Sequence, residues 1–329
     1  MNIVFMGTPN FAVESLKKIY ESGHNILAVV SQPDKKAGRG MNVQPTPVKE
    51  YAINQGLTVY QTEKIRKDRE LIEKLKSLKP DVIVVVAFGQ ILSQEVLDIP
   101  KYGSINVHGS LLPKYRGAAP IQWSVINGDE VTGITTMYMD AGMDTGDMIE
   151  KFEVRINDDD TYGTLYEKMK LVGGKAIIET LEKIADGTVK REKQPDEFTL
   201  APMIEKEMGK IDWNKSSREI RNLIRGFNPM PGAYTIIKDD VKMKIWKAEY
   251  SDRIADKDTM PGDIIVANSK EGLFIKTGDG VLEITELQMP NLKRMSAKDY
   301  LRGHSFWLSL SKSRNKKISW KIILYLRRL

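Results

Sequence analysis

The chain has 329 residues, about twice the ~150 expected of one domain, with 41% hydrophobic and 29% charged side chains. It contains no cysteine, which excludes disulfides, thiolate zinc sites, iron–sulfur clusters and thiol nucleophiles, and only three histidines, His24, His108 and His304. The net charge of +6 is a property of one end: residues 302–329 carry eight basic side chains and no acidic one, and without them the balance is −2, which excludes a uniformly basic nucleic-acid-binding surface.

Met1–Phe5 lacks a basic leader and reads as a first strand, Ile3–Met6. Further strands follow at Ile26–Val30, Thr58–Tyr60, Val82–Ala87, Ile105–Val107, Ile134–Met139 and Ile149–Val154. The run Val82–Val86 is β-branched and unbroken, the pattern of a strand covered on both faces. Between strands, Ile65, Leu71, Ile72, Leu75 and Leu78 form one helical stripe. Leu165, Met169, Ala176, Ile177, Leu181 and Ile184 form another, stopped by Gly187. This alternation predicts an α/β domain with a doubly wound, Rossmann-like sheet over 1–189. Residues 190–204, with Pro195 and Pro202 among charges, read as a linker. Over 205–304 a capping box at Ser216–Glu219 opens a short helix, and five strands follow: Ala233–Lys238, Met243–Tyr250, Asp263–Ala267, Leu273–Lys276 and Val281–Leu287. That spacing predicts a smaller OB-like β-barrel. No apolar run reaches the ~18 residues of a spanning helix, so a cytoplasmic protein with no membrane partner is expected.

The first strand runs into Met6-Gly7-Thr8-Pro9-Asn10, not Gly-x-Gly-x-x-Gly, which disfavours a dinucleotide. Gly7 reads either as a tight strand-to-helix turn or as part of a site at the strand ends. The densest polar constellation is Asn106 to Gly117. Asn106 and His108 stand two apart at a strand end and share a face. An amide and an imidazole side by side suit carbonyl chemistry, one donating to a developing oxyanion while the other moves a proton. A histidine after a strand is otherwise simply hydrogen-bonded. Asp144, in the polar turn Asp140–Asp147 after another strand, is expected to bring a carboxylate to the same edge. Ser31–Lys49 is long for a connection and carries Lys35, Lys36, Arg39 and Lys49, so it is either functional or a solvated loop.

Asn106-Val107-His108, Ser110–Gly117 and Asp144 together resemble the signature of folate-dependent formyltransferases. Phe5–Pro9, Gln32-Pro33-Asp34, Ala37–Gly40, Gly117–Trp123, Met139–Asp147, Lys206-Glu207, Ile211-Asp212-Trp213 and Ile224–Ala233 extend the resemblance over roughly 1–303. It implies a Rossmann-like catalytic domain, a linker and an OB-like domain that helps hold tRNA. It also implies formyl transfer from 10-formyltetrahydrofolate to the α-amine of initiator methionyl-tRNA in translation initiation, by a monomer that needs no metal. On the matching positions it implies a catalytic trio of Asn106, His108 and Asp144, and a folate site of Phe88, Gly89, Gln90, Ile91 and Leu92 with Ser110, Leu111, Leu112 and Pro113. Phe88 and Leu92 equally suit core packing. The resemblance sends the Ser31–Lys49 loop to the tRNA acceptor end, with Arg39, Lys35 and Lys36 as contacts. Lys206 and Arg225, with Lys210, Arg221, Lys242, Lys244 and Lys247, are the candidates in the second domain.

Two rivals stand beside this reading: a formyltransferase for a small amine such as an amino nucleotide-sugar or glycinamide ribonucleotide, and a tRNA-binding protein without catalysis. The second would not need Asn106, His108 and Asp144 together. The resemblance ends at His304. Residues 305–329 form an acid-free tail that reads as a change of reading frame or as a basic, apolar extension with affinity for tRNA or a membrane surface.

Overall fold

A computed structural model describes residues 1–37, 42–237 and 240–305. Arg39, Lys238, Asp239 and the tail from residue 306 lie outside them. The chain divides into two compact units, Met1–Glu205 and a second beginning at Lys206.

In the first unit, β1 (Asn2–Gly7), α1 (Asn10–Glu21), β2 (Asn25–Ser31), the short hairpin β3 (Lys35–Ala37) and β4 (Asn42–Gln44), α2 (Pro47–Asn54) and β5 (Val59–Gln61) come first. They are followed by α3 (Arg69–Leu78), β6 (Val82–Val86), α4 (Gln94–Leu97), β7 (Ser104–His108), α5 (Pro120–Ile126), β8 (Val131–Tyr138), β9 (Met148–Arg155) and the long α6 (Tyr162–Asp186). The sheet order is β5-β2-β1-β6-β7-β8-β9. The first five strands are parallel, as the alternation predicts, and β8 and β9 add antiparallel strands at one edge.

Strand alternation sorts the core onto two faces. Ile3, Phe5, Val82, Val84 and Val86 pack under α1 and α6, while Val4, Met6, Ile83 and Val85 pack with Leu71, Ile72 and Leu75 of α3. Every residue of β6 is buried, so its unbroken apolar run is explained, and each such side chain contributes about 2 kcal/mol. Helix α6 begins at a reciprocal cap between Thr161 and Thr164 and ends at Gly187, whose φ is +76°. Its expected stripe is the buried one. At Gly173 a Cβ would stand 3.3 Å from Val107 Cγ1, so the helix lies tight beneath β7, the strand carrying Asn106 and His108. Gly7 is a packing residue: an added Cβ would come within 2.8 Å of both Phe5 and Ala12.

The segment 190–204, expected as a linker, is tied into the first unit. Glu192 exchanges two backbone hydrogen bonds with Met148, and Leu200 bridges to Arg116.

The second unit holds α7 (Ser217–Gly226), β10 (Ala233–Ile236), β11 (Lys242–Ser251), β12 (Ile264–Asn268), β13 (Gly272–Lys276), β14 (Val281–Gln288), the two-residue β15 (Met295–Ser296) and α8 (Ala297–Gly303). The Ser216–Glu219 capping box is present at the start of α7. The strands form one antiparallel sheet in the order β10-β11-β14-β13-β12, an open path, with β15 paired to β14.

Candidate active site

Asn106 and His108 leave the same face of β7, as the two-residue period requires. The carboxylate reaches them by a route not expected from sequence. Tyr138 pairs with Ile105 and Thr135 with His108, so β8 runs antiparallel and finishes toward the start of β7. The turn after it folds back across the face that Asn106 and His108 share. Asp144 Oδ1 then lies 3.5 Å from Asn106 Nδ2, and Oδ2 lies 3.7 Å from His108 Nδ1. Gly117 N–H donates to the same Oδ2 at 2.8 Å. The imidazole is 5% exposed and the carboxylate 18%, so the two groups face each other with little water between them.

His108 Nε2 stands 2.9 Å from the carbonyl oxygen of Tyr115. A carbonyl only accepts, so Nε2 carries the hydrogen and Nδ1 is left facing Asp144. Tyr115 is itself held in the left-handed region at φ +63°. Its hydroxyl donates to Asp129 at 2.7 Å and accepts from Asn127 at 3.0 Å. Burial pushes that phenol up from its ordinary 10.0 to about 12. At Gly117 φ is +122°, and a Cβ there would meet the Ala201 carbonyl oxygen at 2.8 Å. Only glycine brings this N–H to the carboxylate without strain.

The segment 192–201 closes the arrangement. Gln194 donates from Nε2 to the carbonyls of Asp144 and Gly146, at 2.8 and 2.9 Å, and accepts from Arg116 Nε at 2.9 Å. Arg116 stacks over the Phe198 ring at 4.4 Å. Thr199 accepts from Arg116 N–H with its carbonyl and from Tyr115 N–H with its hydroxyl. Sequence reasoning missed Gln194 and Thr199, because nothing in a charged, proline-bearing stretch indicates contact with residues 48 positions or more upstream.

The folate candidates divide by side chain. Phe88 and Leu92 are buried in the core that also holds Val85. Gly89 and Ile91 are exposed, and Gly89 stands in the left-handed region at φ +74°, so the chain turns here and leaves these two residues outward. Three side chains fix it. Thr8 and Gln32 donate to the Phe88 carbonyl, at 3.1 and 2.9 Å, and Gln90 is held by Ile65 N–H and the Thr62 carbonyl. Among the described residues no protein acceptor takes the backbone N–H of Gln90, Ile91 or Leu92. That open edge, beside the strand bearing Asn106, fits a flat heterocycle with alternating donors and acceptors. Ser110 and Leu112 face inward: the Ser110 hydroxyl donates to the Lys114 carbonyl at 2.5 Å, and Leu112 packs on Met137 and Met148. Leu111 and Pro113 are half-buried. Among the described residues there is no group of three His, Cys, Asp or Glu side chains able to hold a metal.

The base of the long loop is a polar knot. Lys49 donates to Asp34 and Gln61 at 2.6 and 2.8 Å, and holds the Asp34 carboxyl below its usual range with help from Gln61. Lys35 donates to Gln32 Oε1 at 3.0 Å, and Lys36 lies in β3. Lys206 opens a 3₁₀ turn in the second unit, and Arg225 on α7 donates to Asn222. Arg221, a candidate phosphate contact, is instead 5% exposed, with its guanidinium 3.5 Å from Glu249 and over the Tyr250 ring. The helix turns it inward.

An amide, an imidazole and a carboxylate converging on one face of an α/β sheet suit group transfer at a carbonyl carbon, with a donor for an oxyanion beside a proton carrier. The chain belongs to the formyl transferase family: the family's sequence profile, "Formyl transferase", matches residues 1–181, and "Formyl transferase, C-terminal domain" matches 203–305. It is 54% identical over 306 residues to a methionyl-tRNA formyltransferase of Clostridioides difficile, covering 93% of this chain and 97% of that one. Among solved structures it resembles an N-formyltransferase of Helicobacter canadensis in complex with folinic acid and dTDP-3-aminofucose. The TM-score is 0.63 at 24% identity, over 86% of this chain and 98% of the other. It also resembles HypX of Aquifex aeolicus in complex with tetrahydrofolic acid, with a TM-score of 0.61 at 16% identity over 91% of this chain. The chain spans just under half of HypX, 46% of its length. No helix among the described residues is long and apolar enough to cross a membrane.

Proposed function

We propose that this chain transfers the formyl group of 10-formyltetrahydrofolate to the α-amine of methionine esterified to initiator tRNA, as a cytoplasmic monomer in translation initiation. What carries the reading is the convergence of Asn106, His108 and Asp144 in a chain about half identical, over nearly its full length, to proteins that bear this activity in their name. Bound 10-formyltetrahydrofolate supplies an activated formyl group on nitrogen. The backbone edge of residues 88–92 would hold its ring, with Leu111 and Pro113 lining the approach.

Asn106 is the donor for negative charge growing on the formyl oxygen as the amine attacks. Such a donor is typically worth about 3 kcal/mol of barrier. With Nε2–H engaged by Tyr115, His108 exchanges protons through Nδ1 alone. The neutral amine attacks, its nitrogen becomes an ammonium in the tetrahedral adduct, and the proton it sheds to Nδ1 faces the Asp144 carboxylate 3.7 Å away, which Gly117 N–H keeps in place. As the adduct collapses, the bond from the formyl carbon to the folate nitrogen breaks and that nitrogen takes the proton from Nδ1, releasing tetrahydrofolate. Lys35, Lys36 and Arg39 on the loop, with Lys206 and Arg225 in the second unit, are assigned to the tRNA.

The test is formylation by the purified chain of methionyl-initiator tRNA, free methionine and an amino nucleotide-sugar, each with 10-formyltetrahydrofolate. Product on the charged tRNA alone, lost in His108→Ala, is expected. Formylation of a free amine in preference to the tRNA would overturn the acceptor assignment. Undiminished turnover by His108→Ala would overturn the site.

A further inference from the structure

We propose that Gln194 is a positioning residue for Asp144, a single carboxamide that sets the catalytic carboxylate from the last segment of the first unit; this rests on the formyl-transfer reading of the site. Asp144 stands at φ +55°, in the left-handed region, which aspartate enters more readily than most residues but still at a cost that its surroundings offset. The carbonyls of Asp144 and Gly146 both turn toward Gln194 Nε2, and its two hydrogens serve one each, at 2.8 and 2.9 Å. Its oxygen accepts from Arg116 Nε at 2.9 Å, which orients the amide so that the NH2 faces the turn. Arg116 is nine-tenths buried and stacked on Phe198, so it is itself a fixed support.

No other side chain among the described residues donates to either carbonyl. The turn is otherwise held by the bond from Tyr138 N–H to the Asp147 carbonyl and, from within, by Asp140, which accepts from Gly142 N–H at 3.0 Å and from the Thr145 hydroxyl at 2.6 Å. Asp140 holds Thr145 but neither of the two carbonyls, so without the amide the peptide groups at 144–146 lose the hold that sets their orientation, and the carboxylate shifts relative to Gly117 N–H and His108. A misplacement of about 1 Å at a reacting group costs on the order of 10²-fold in rate. Substrate-binding surfaces elsewhere are untouched, so the effect belongs in kcat and not in KM.

Two substitutions separate the clamp from the Arg116 contact. Gln194→Ala removes both. Gln194→Glu keeps an oxygen for Arg116 but has no hydrogen for the carbonyls and sets negative charge against them. Both are expected to lower kcat on methionyl-tRNA about 10²-fold, with KM for tRNA and folate within about threefold. In an Asp144→Asn background Gln194→Ala is expected to add less than threefold, because the residue acts through that carboxylate. A near-normal Gln194→Glu, a loss appearing in KM, or a full multiplicative loss on top of Asp144→Asn would each overturn the proposal. So would variants that no longer unfold cooperatively, since Gln194 would then be a support of the fold. Failure of the formyl-transfer reading would show in the unaltered chain; failure of this inference shows only in the variants.

Discussion

Replacing Asp144 with Asn keeps the size and one oxygen of the side chain and removes its charge. That oxygen can still take Gly117 N–H, but the new NH2 then points at Asn106 Nδ2, donor against donor, where the carboxylate accepted at 3.5 Å. The larger loss is electrostatic. At 3.7 Å, with an effective dielectric of about 20, a carboxylate and a protonated His108 attract by about 4 kcal/mol. A step that places the proton on Nδ1 loses that stabilisation, and at 1.36 kcal/mol per decade kcat falls by about 10³-fold. Single-turnover formylation of methionyl-initiator tRNA at saturating folate reads this directly, with thermal unfolding in parallel to show the fold intact. The double variant His108→Ala/Asp144→Asn should be no slower than His108→Ala, since the carboxylate acts through the imidazole. A loss below tenfold, or double-variant losses that multiply, would refute the charge-pair account.

Gly117→Ala forces a side chain onto φ +122° against the Ala201 carbonyl and is expected to cost about 3 kcal/mol of stability, read as a lower denaturation midpoint, together with a fall in kcat. Tyr115→Phe removes hydrogen bonds to Asp129 and from Asn127 and should cost about 2 kcal/mol. In the unaltered chain the phenol ionises at about 12 when folded and at its ordinary 10.0 when unfolded. Its contribution is therefore whole below pH 10 and lost as pH rises toward 12, a step in the stability–pH curve that Tyr115→Phe should lack. Gln32→Leu frees the Gly89 carbonyl it now holds at 3.3 Å and leaves the Phe88 carbonyl to Thr8 alone, and a folate titration should show about tenfold weaker binding with kcat little changed.

Period and composition made much of this architecture readable before any coordinates. The Val82–Val86 run, the α6 stripe with its glycine stop and the Ser216–Glu219 cap each depend on residues within one or two turns of one another, where local physics decides. Pairing direction is not local. Nothing in Val131–Tyr138 states that it runs against β7, so the expectation that Asp144 arrives at a shared strand edge missed the turn that folds back across the sheet face. Asn106 and His108 were legible because two positions on a strand fix a shared side, whereas Gln194 acts 50 positions from its partner and carries no spacing that points there. The inward turns of Ser110, Leu112 and Arg221 likewise came from packing that polarity along the sequence does not encode.

The pairing of Glu192 with Met148, and of residues 199–201 with the loop at 113–119, has a consequence for the order in which the enzyme comes into being. Chains are made from the amino end at roughly 5–20 residues per second. All three reactive side chains have been synthesised by residue 144, yet the amide and carbonyl groups that fix two of them are supplied only at residues 194–201. A nascent chain arrested after β9 and before residue 194 has its β-sheet strands but not the groups that fix the turn of Asp144 and the loop at 113–119. The arrangement of Asn106, His108 and Asp144 is therefore the last part of the first unit to be fixed, within a few residues of where the second unit starts.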